Sequence, residues 1–134
     1  MIYLLDTDTC IYIMKKHPVI VDNLSTIEAD QVSVSSISVS ELHYGVEKSQ
    51  KKKTNQHYLE IFLSPISIIT YDQSAAETYG LIRAKLEKAG QVIGPLDMLI
   101  AAHALSQNLV LVTNNVKEFS RIENLTIENW AIAH

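Results

Sequence analysis

Residues Ile2 to Leu5 form an apolar run that meets an acid, Asp6, with nothing polar between. An unbroken apolar run of this length fits a short strand buried on both faces, the pattern of a parallel sheet rather than of a half-exposed antiparallel one. Leu109 to Val112 repeats it and ends at Thr113-Asn114-Asn115. Gln31 to Ser35 and Ile66 to Thr70 add two further strand-like segments, and Leu125 to Ile127 a last one, with Trp130 packing after it.

Helical patterns fill the intervals. Helices are predicted from about Thr9 to Lys16, from Pro18 to Ile27, from Ser36 or Ser38 to Lys48, and from the Lys51-Lys52-Lys53 run to Leu63. Ser38 followed by Glu41 fits a capping box. Asp72 or Ser74 opens a long amphipathic helix, with Ala76, Tyr79, Ile82, Arg83 and Leu86 at helical spacing and Gly90 at its end. Gly94-Pro95 opens another, almost wholly apolar from Met98 to Leu105, so it should be buried on most sides. Strands separated by helices predict an α/β fold: a central, mainly parallel sheet flanked by helices on both faces. The 134 residues suit one domain, 1–134, with no visible linker.

In such a sheet, ligands bind beyond the carboxyl ends of the strands. That makes Asp6, at the end of the first strand, the leading candidate site residue; its other reading is a cap for the following helix. Asp97 lies in the first turn of a buried helix, where an acid is also favoured by the helix dipole. Glu41 precedes Tyr44 and Gly45 and is equally readable as a capping-box glutamate; Gly45 permits a close approach. Asn115 and Glu118 follow the last apolar strand, and a turn-forming Asn with a surface Glu is the plainer account of them. Thr113 could bond an acid or simply end its strand. Dispersed carboxylates gathered by a fold suit Mg²⁺ or Mn²⁺, hard cations that prefer oxygen.

Composition narrows the classes. At 47% hydrophobic and 19% charged the chain is globular. Its single cysteine, Cys10, excludes an internal disulfide and fits a reducing compartment. The five histidines, His17, His43, His57, His103 and His134, make no zinc-binding pattern, and His103 is expected to be a satisfied core residue. No apolar run is long enough to span a bilayer, and no basic segment precedes Asp6, so a cytoplasmic protein without a signal peptide is expected. A net charge of −4 argues against bulk-charge binding to nucleic acid without excluding local contact. The lysine run from Lys48 to Lys53 is either a solvated face or an RNA-backbone contact.

Four segments, in order, are similar to one family: Leu4-Leu5-Asp6-Thr7; Ser38 to Gly45 (SVSELHYG); Ile93 to Asp97 with Ile100 to Ala104; and Leu111 to Asn115 with Glu118-Phe119. Over essentially its whole length the chain resembles PIN-domain ribonucleases, specifically the VapC-type toxins of bacterial toxin–antitoxin pairs. The resemblance implies a PIN-like fold and metal-dependent hydrolysis of phosphodiester bonds in structured RNA, tRNA foremost, which inhibits translation. It implies that Asp6 and Asp97 hold Mg²⁺ or Mn²⁺, that Glu41 completes the site, that Glu118 serves where Asn115 replaces the family's usual fourth acid, and that Thr7, Thr113 and Asn115 support them. It also implies a cognate VapB-type antitoxin lying over the site, and a homodimer. Ile11, Ile13, Met14 and Val19 are candidates for the antitoxin groove or for the core, and Arg83, Lys85 and Lys88 for RNA contacts. Two alternatives remain. Leu4 to Thr9 also fits the DxDxT opening of haloacid-dehalogenase-like phosphatases, although too little chain follows Asn115 for that family's later motifs. Asn115 leaves room for a PIN-like binding module without catalysis.

Overall fold

The computed structural model describes residues 1–132; His134 lies outside them. Five strands form one sheet in the order β3-β2-β1-β4-β5, every pair parallel: β1 (Tyr3–Leu5), β2 (Val32–Ser35), β3 (Ser67–Ile69), β4 (Val110–Val112) and β5 (Ile127–Glu128). From β1 the chain winds outward through β2 to β3, then crosses to β4 on the other side of β1. The winding therefore reverses between β1 and β4, which is where an open α/β sheet leaves a crevice. The register aligns the exits of the central strands: Leu5 lies opposite both Val34 and Val112. The Asp6 amide donates to the Val112 carbonyl at 3.0 Å, so Asp6 and Thr113 emerge side by side.

Seven helices connect and cover the sheet: α1 (Thr7–Met14), α2 (Pro18–Ser25), α3 (Ser36–Glu47), α4 (Lys52–Leu63), α5 (Gln73–Lys88), α6 (Pro95–Ser106) and α7 (Val116–Phe119). Strand alternation divides the core in two. Leu4 and Leu111 face α5 and α6, where Ile82, Leu86, Met98, Ile100 and Phe119 are buried. Leu5, Val32, Val34 and Val112 face α1–α4, with Ile20, Leu42, Leu59, Phe62 and Trp130. Helices thus lie on both faces, as predicted. Trp130 packs edge-on against Tyr3 at 5.2 Å. The α6 helix is as enclosed as its composition predicts, with Met98 and Ile100 to Ala104 buried.

Several sequence expectations shift. α1 begins at Thr7 rather than Thr9, because Asp6 itself is the cap. The capping box of Ser38 and Glu41 does not form: Ser35 caps α3, its hydroxyl accepting from the Ile37 amide, and both predicted partners lie inside the helix. Asp72, not Ser74, caps α5, and Gly90 follows that helix at φ +68°, a backbone state natural to glycine. The last strand is Ile127–Glu128 rather than Leu125 to Ile127. His103 is wholly buried, with Nδ1 2.8 Å from Ser35 Oγ and its ring edge-on to Tyr71. Its Nε2 lacks a well-formed hydrogen bond, so the expectation of a satisfied histidine holds for one nitrogen only. Burial lowers its pKa and keeps the ring neutral.

Candidate active site

The site is built at the carboxyl edge of β1 and β4. Asp6 is nearly buried, and its Oδ1 accepts from the Thr9 amide at 2.8 Å. Asp6 therefore caps α1, and the same residue stands at the mouth of the crevice, where its reading as a site residue would place it. Burial raises its pKa, against hydrogen bonds from the Thr113 hydroxyl and the Thr9 amide that favour the charged form; the Thr9 hydroxyl donates to the Val112 carbonyl at 3.1 Å. Thr113, fully buried, also accepts from the Asn115 amide at 3.0 Å, and Asn115 Nδ2 donates to Glu118 Oε2 at 2.9 Å. The residues after β4 thus form one polar chain from Asp6 through Thr113 and Asn115 to Glu118.

On the other side, Thr7 Oγ1 lies 2.7 Å from Glu41 Oε1 and 3.0 Å from Ser38 Oγ. A hydroxyl has one proton to give, so Thr7 donates to the carboxylate and Ser38 donates to Thr7. Sequence reasoning made Ser38 a helix cap; its place here, buried and one turn before Glu41, is to fix the Thr7 hydroxyl. Thr9 was missed as a site residue, though its spacing of three from a capping Asp is the signal for it.

Asp97 occupies the third position of α6. Its pKa is pushed up from 3.8 to about 6, first by burial, then by the charges of Asp6, Glu118, Asp8 and Glu41. The other three predicted acids, Asp6, Glu118 and Glu41, all act on Asp97. Asp8, assigned no role from sequence, is exposed and adds to the same negative field. No cation is among these main influences on Asp97, and burial together with Asp6 also raises the thiol of Cys10 behind the site, leaving it inert.

The donor set is wholly oxygen, which suits a hard divalent ion and not a soft one. Among the described residues, no three His, Cys, Asp or Glu side chains are preassembled to hold a metal. That is compatible with Mg²⁺-type chemistry, in which one or two carboxylates bind while waters and substrate phosphates supply the other ligands. Burial first, and then the neighbouring acids, disfavour the charged form of Asp97, and a bound cation would offset both.

The candidate RNA contacts Arg83, Lys85 and Lys88 lie elsewhere, on α5, and the first two are paired. Arg83 Nε pairs with Glu87 Oε1 at 2.7 Å and its Nη1 bonds the Tyr79 hydroxyl; Lys85 Nζ pairs with Glu123 Oε2 at 2.6 Å. Among the described residues, no helix is long and apolar enough to cross a membrane.

Comparison with known proteins agrees with this geometry. The PIN domain family model matches residues 3–125. The chain is 48% identical over 132 residues to ribonuclease VapC2 of Rickettsia felis, covering 97% of this chain and 98% of that one. It is 40% identical to the tRNA(fMet)-specific endonuclease VapC of Shigella flexneri, covering 96% and 98%. Among solved structures, VapBC2 from Rickettsia felis bound to a promoter DNA fragment superposes with a TM-score of 0.92 at 48% identity, over 97% of this chain and 99% of that one. These matches run through every segment that carries a site residue and leave the phosphatase alternative without support. The chain belongs to the PIN-domain family, and within it to the VapC ribonucleases.

Proposed function

We propose that the protein is an Mg²⁺- or Mn²⁺-dependent endoribonuclease of one PIN domain, residues 1–134. It cuts structured RNA, tRNA foremost, as the cytoplasmic toxin of a toxin–antitoxin pair, and a VapB-type antitoxin neutralises it. The observation that carries this is the placement of Asp6 at the carboxyl end of β1 beside Thr113, with Asp97 close enough to feel the charges of Asp6, Glu118 and Glu41. The family and the names of its relatives supply the substrate class: a ribonuclease in Rickettsia felis and a tRNA(fMet)-specific endonuclease in Shigella flexneri.

Asp6 and Asp97 would hold the ion, with Glu41 as a further ligand, direct or through water, and Glu118 on the far side. When bound, the ion supplies Lewis acidity toward a phosphoryl oxygen and an acidified water near neutral pH. The residues do the rest. Hydrogen bonds from Thr113 and from the Thr9 amide favour the charged form of Asp6 against its burial. Thr7 ties down Glu41 Oε1 and leaves Oε2 to accept a proton from the attacking water. Asn115 orients Glu118. In-line attack with the 3′ oxygen leaving gives 5′-phosphate and 3′-hydroxyl ends.

The antitoxin would lie over this crevice and along the apolar groove that Ile11 and Met14 line beside Glu41. The homodimer is checked by sedimentation of the antitoxin-free toxin. The principal test is cleavage of total tRNA and ribosomal RNA with Mg²⁺, Mn²⁺ or EDTA, beside Asp6→Ala. Discrete metal-dependent fragments, absent in the variant, are expected. Ends bearing 2′,3′-cyclic phosphate would refute the mechanism, because they require attack by the 2′-hydroxyl. The non-catalytic reading draws on Asn115 in place of an acid; it predicts no Mn²⁺ binding by calorimetry even with RNA present.

A further inference from the structure

The proposed nuclease must hold RNA on a chain whose net charge is −4, so the placement of its few free cations matters. Six of the 11 lysines and arginines, Lys15, Lys16, Lys48, Lys51, Lys52 and Lys53, fall at the end of α1 and around the α3–α4 connection. Lys15 and Lys48 line one groove with Glu41, Ile11, Gly45 and Asn55. Among the described residues, only Lys52 of the six has a carboxylate partner, Glu47 at 3.4 Å. This reverses the situation on α5, where Arg83 and Lys85 are each neutralised by a glutamate.

An aromatic, Tyr44, stands on α3 next to the groove-lining Gly45. Tyr44 is 66% exposed and Lys48 Nζ lies 5.0 Å from its ring centroid. Glu41, Tyr44 and Lys48 are spaced three and four residues apart, which puts them along one stripe of α3 starting at the proposed active site. A side chain at Gly45 would meet nothing within 4 Å, so the groove is open beside the stripe. Exposed tyrosine with unpaired lysines is the composition of a single-strand platform: a ring for a base, cations for phosphates.

We propose that the α1/α3/α4 groove holds the single-stranded RNA that flanks the scissile phosphate, with Tyr44 stacking on a base and Lys15 and Lys48 contacting its backbone. This rests on the nuclease reading above. It moves the RNA contacts from Arg83 and Lys85 to the opposite face of the sheet.

The test uses fluorescein-labelled initiator tRNA and the antitoxin-free protein in an Asp6→Asn background, which blocks cleavage while Asn keeps a helix-capping oxygen. Affinity is measured by anisotropy across a salt series. Lys15→Gln with Lys48→Gln should weaken binding and flatten the salt slope by about 0.7 per lysine. Tyr44→Ala should weaken it about tenfold without changing the slope, and Tyr44→Trp should restore it. Arg83→Gln with Lys85→Gln should change neither quantity. Groove variants that keep the parent's affinity and slope, whether or not they lose the antitoxin, overturn the proposal, as does a slope change confined to the α5 variant. These outcomes leave the nuclease reading standing if the protein with Asp6 intact still cuts tRNA; a protein that neither binds nor cuts it overturns both.

Discussion

Asp97→Asn should make the metal-free protein more stable while abolishing cleavage. The Asp97 carboxyl is raised from 3.8 to about 6 by burial and by four neighbouring acids. At about 1.4 kcal/mol per unit the full shift is worth about 3 kcal/mol of destabilisation by the ionised form at neutral pH. The group is half-exposed, so screening reduces this to about 1–2 kcal/mol. Losing the negative charge near the α6 N-terminus takes back about 0.5 kcal/mol. The net gain is about 1 kcal/mol, or about 3–5 °C in Tm for a chain of this length. The sign with pH follows from the direction of the shift. A carboxyl whose pKa is raised on folding contributes stability in its protonated form; that contribution is complete below pH 3.8 and is lost as pH rises through about 6. The wild type should therefore fall behind the variant between pH 4 and 7, and the two should converge in acid. Thermal melts in EDTA at pH 4.5 and 7.5 measure this, and Mn²⁺ should raise the wild-type Tm while leaving that of the variant nearly fixed. A variant that melts below wild type at pH 7.5 in EDTA, or a difference that ignores pH, would refute the picture of uncompensated acids.

Three further substitutions probe the supporting hydrogen bonds. Thr7→Val should lower kcat about tenfold with KM little changed, because Glu41 loses the donor at 2.7 Å, and Thr7→Ser should recover most of it. Thr113→Val removes a hydrogen bond that favours the charged form of Asp6, so the acid limb of the kcat/KM–pH profile should move to higher pH and stability should fall by about 1–2 kcal/mol. Asn115→Asp supplies the acid that the resemblance leads one to expect there; Mn²⁺ should bind several-fold tighter by calorimetry, and the metal-free Tm should drop as one more charge joins the cluster.

The sheet was legible because its central strands are short, continuous apolar runs that only a doubly covered parallel sheet can bury, and the acid ending the first of them marked the crevice before any coordinates did. Asp97 was legible for a related reason: a helix buried on nearly every side has few places to put an acid other than its opening turn. What sequence could not resolve is how a residue divides its work between fold and site. Asp6 read as either a cap or a ligand because each reading uses the same atoms; one oxygen takes the Thr9 amide and the crevice takes the rest. Ser38 and Glu41 failed as a capping box because the preceding strand delivers Ser35 to the cap position one turn earlier, which frees the pair to act through Thr7 across 31 and 34 residues of chain. Arg83 and Lys85 read from sequence as candidate RNA contacts, and the fold gives each a glutamate partner; Glu87 is visible at a spacing of four, but Glu123 is 38 residues away. Local spacing reveals a charge, and only the fold reveals whether that charge is spent. The same distinction separates Asp97, whose main electrostatic neighbours are other acids, from Arg83 and Lys85 of α5, each of which meets a carboxylate.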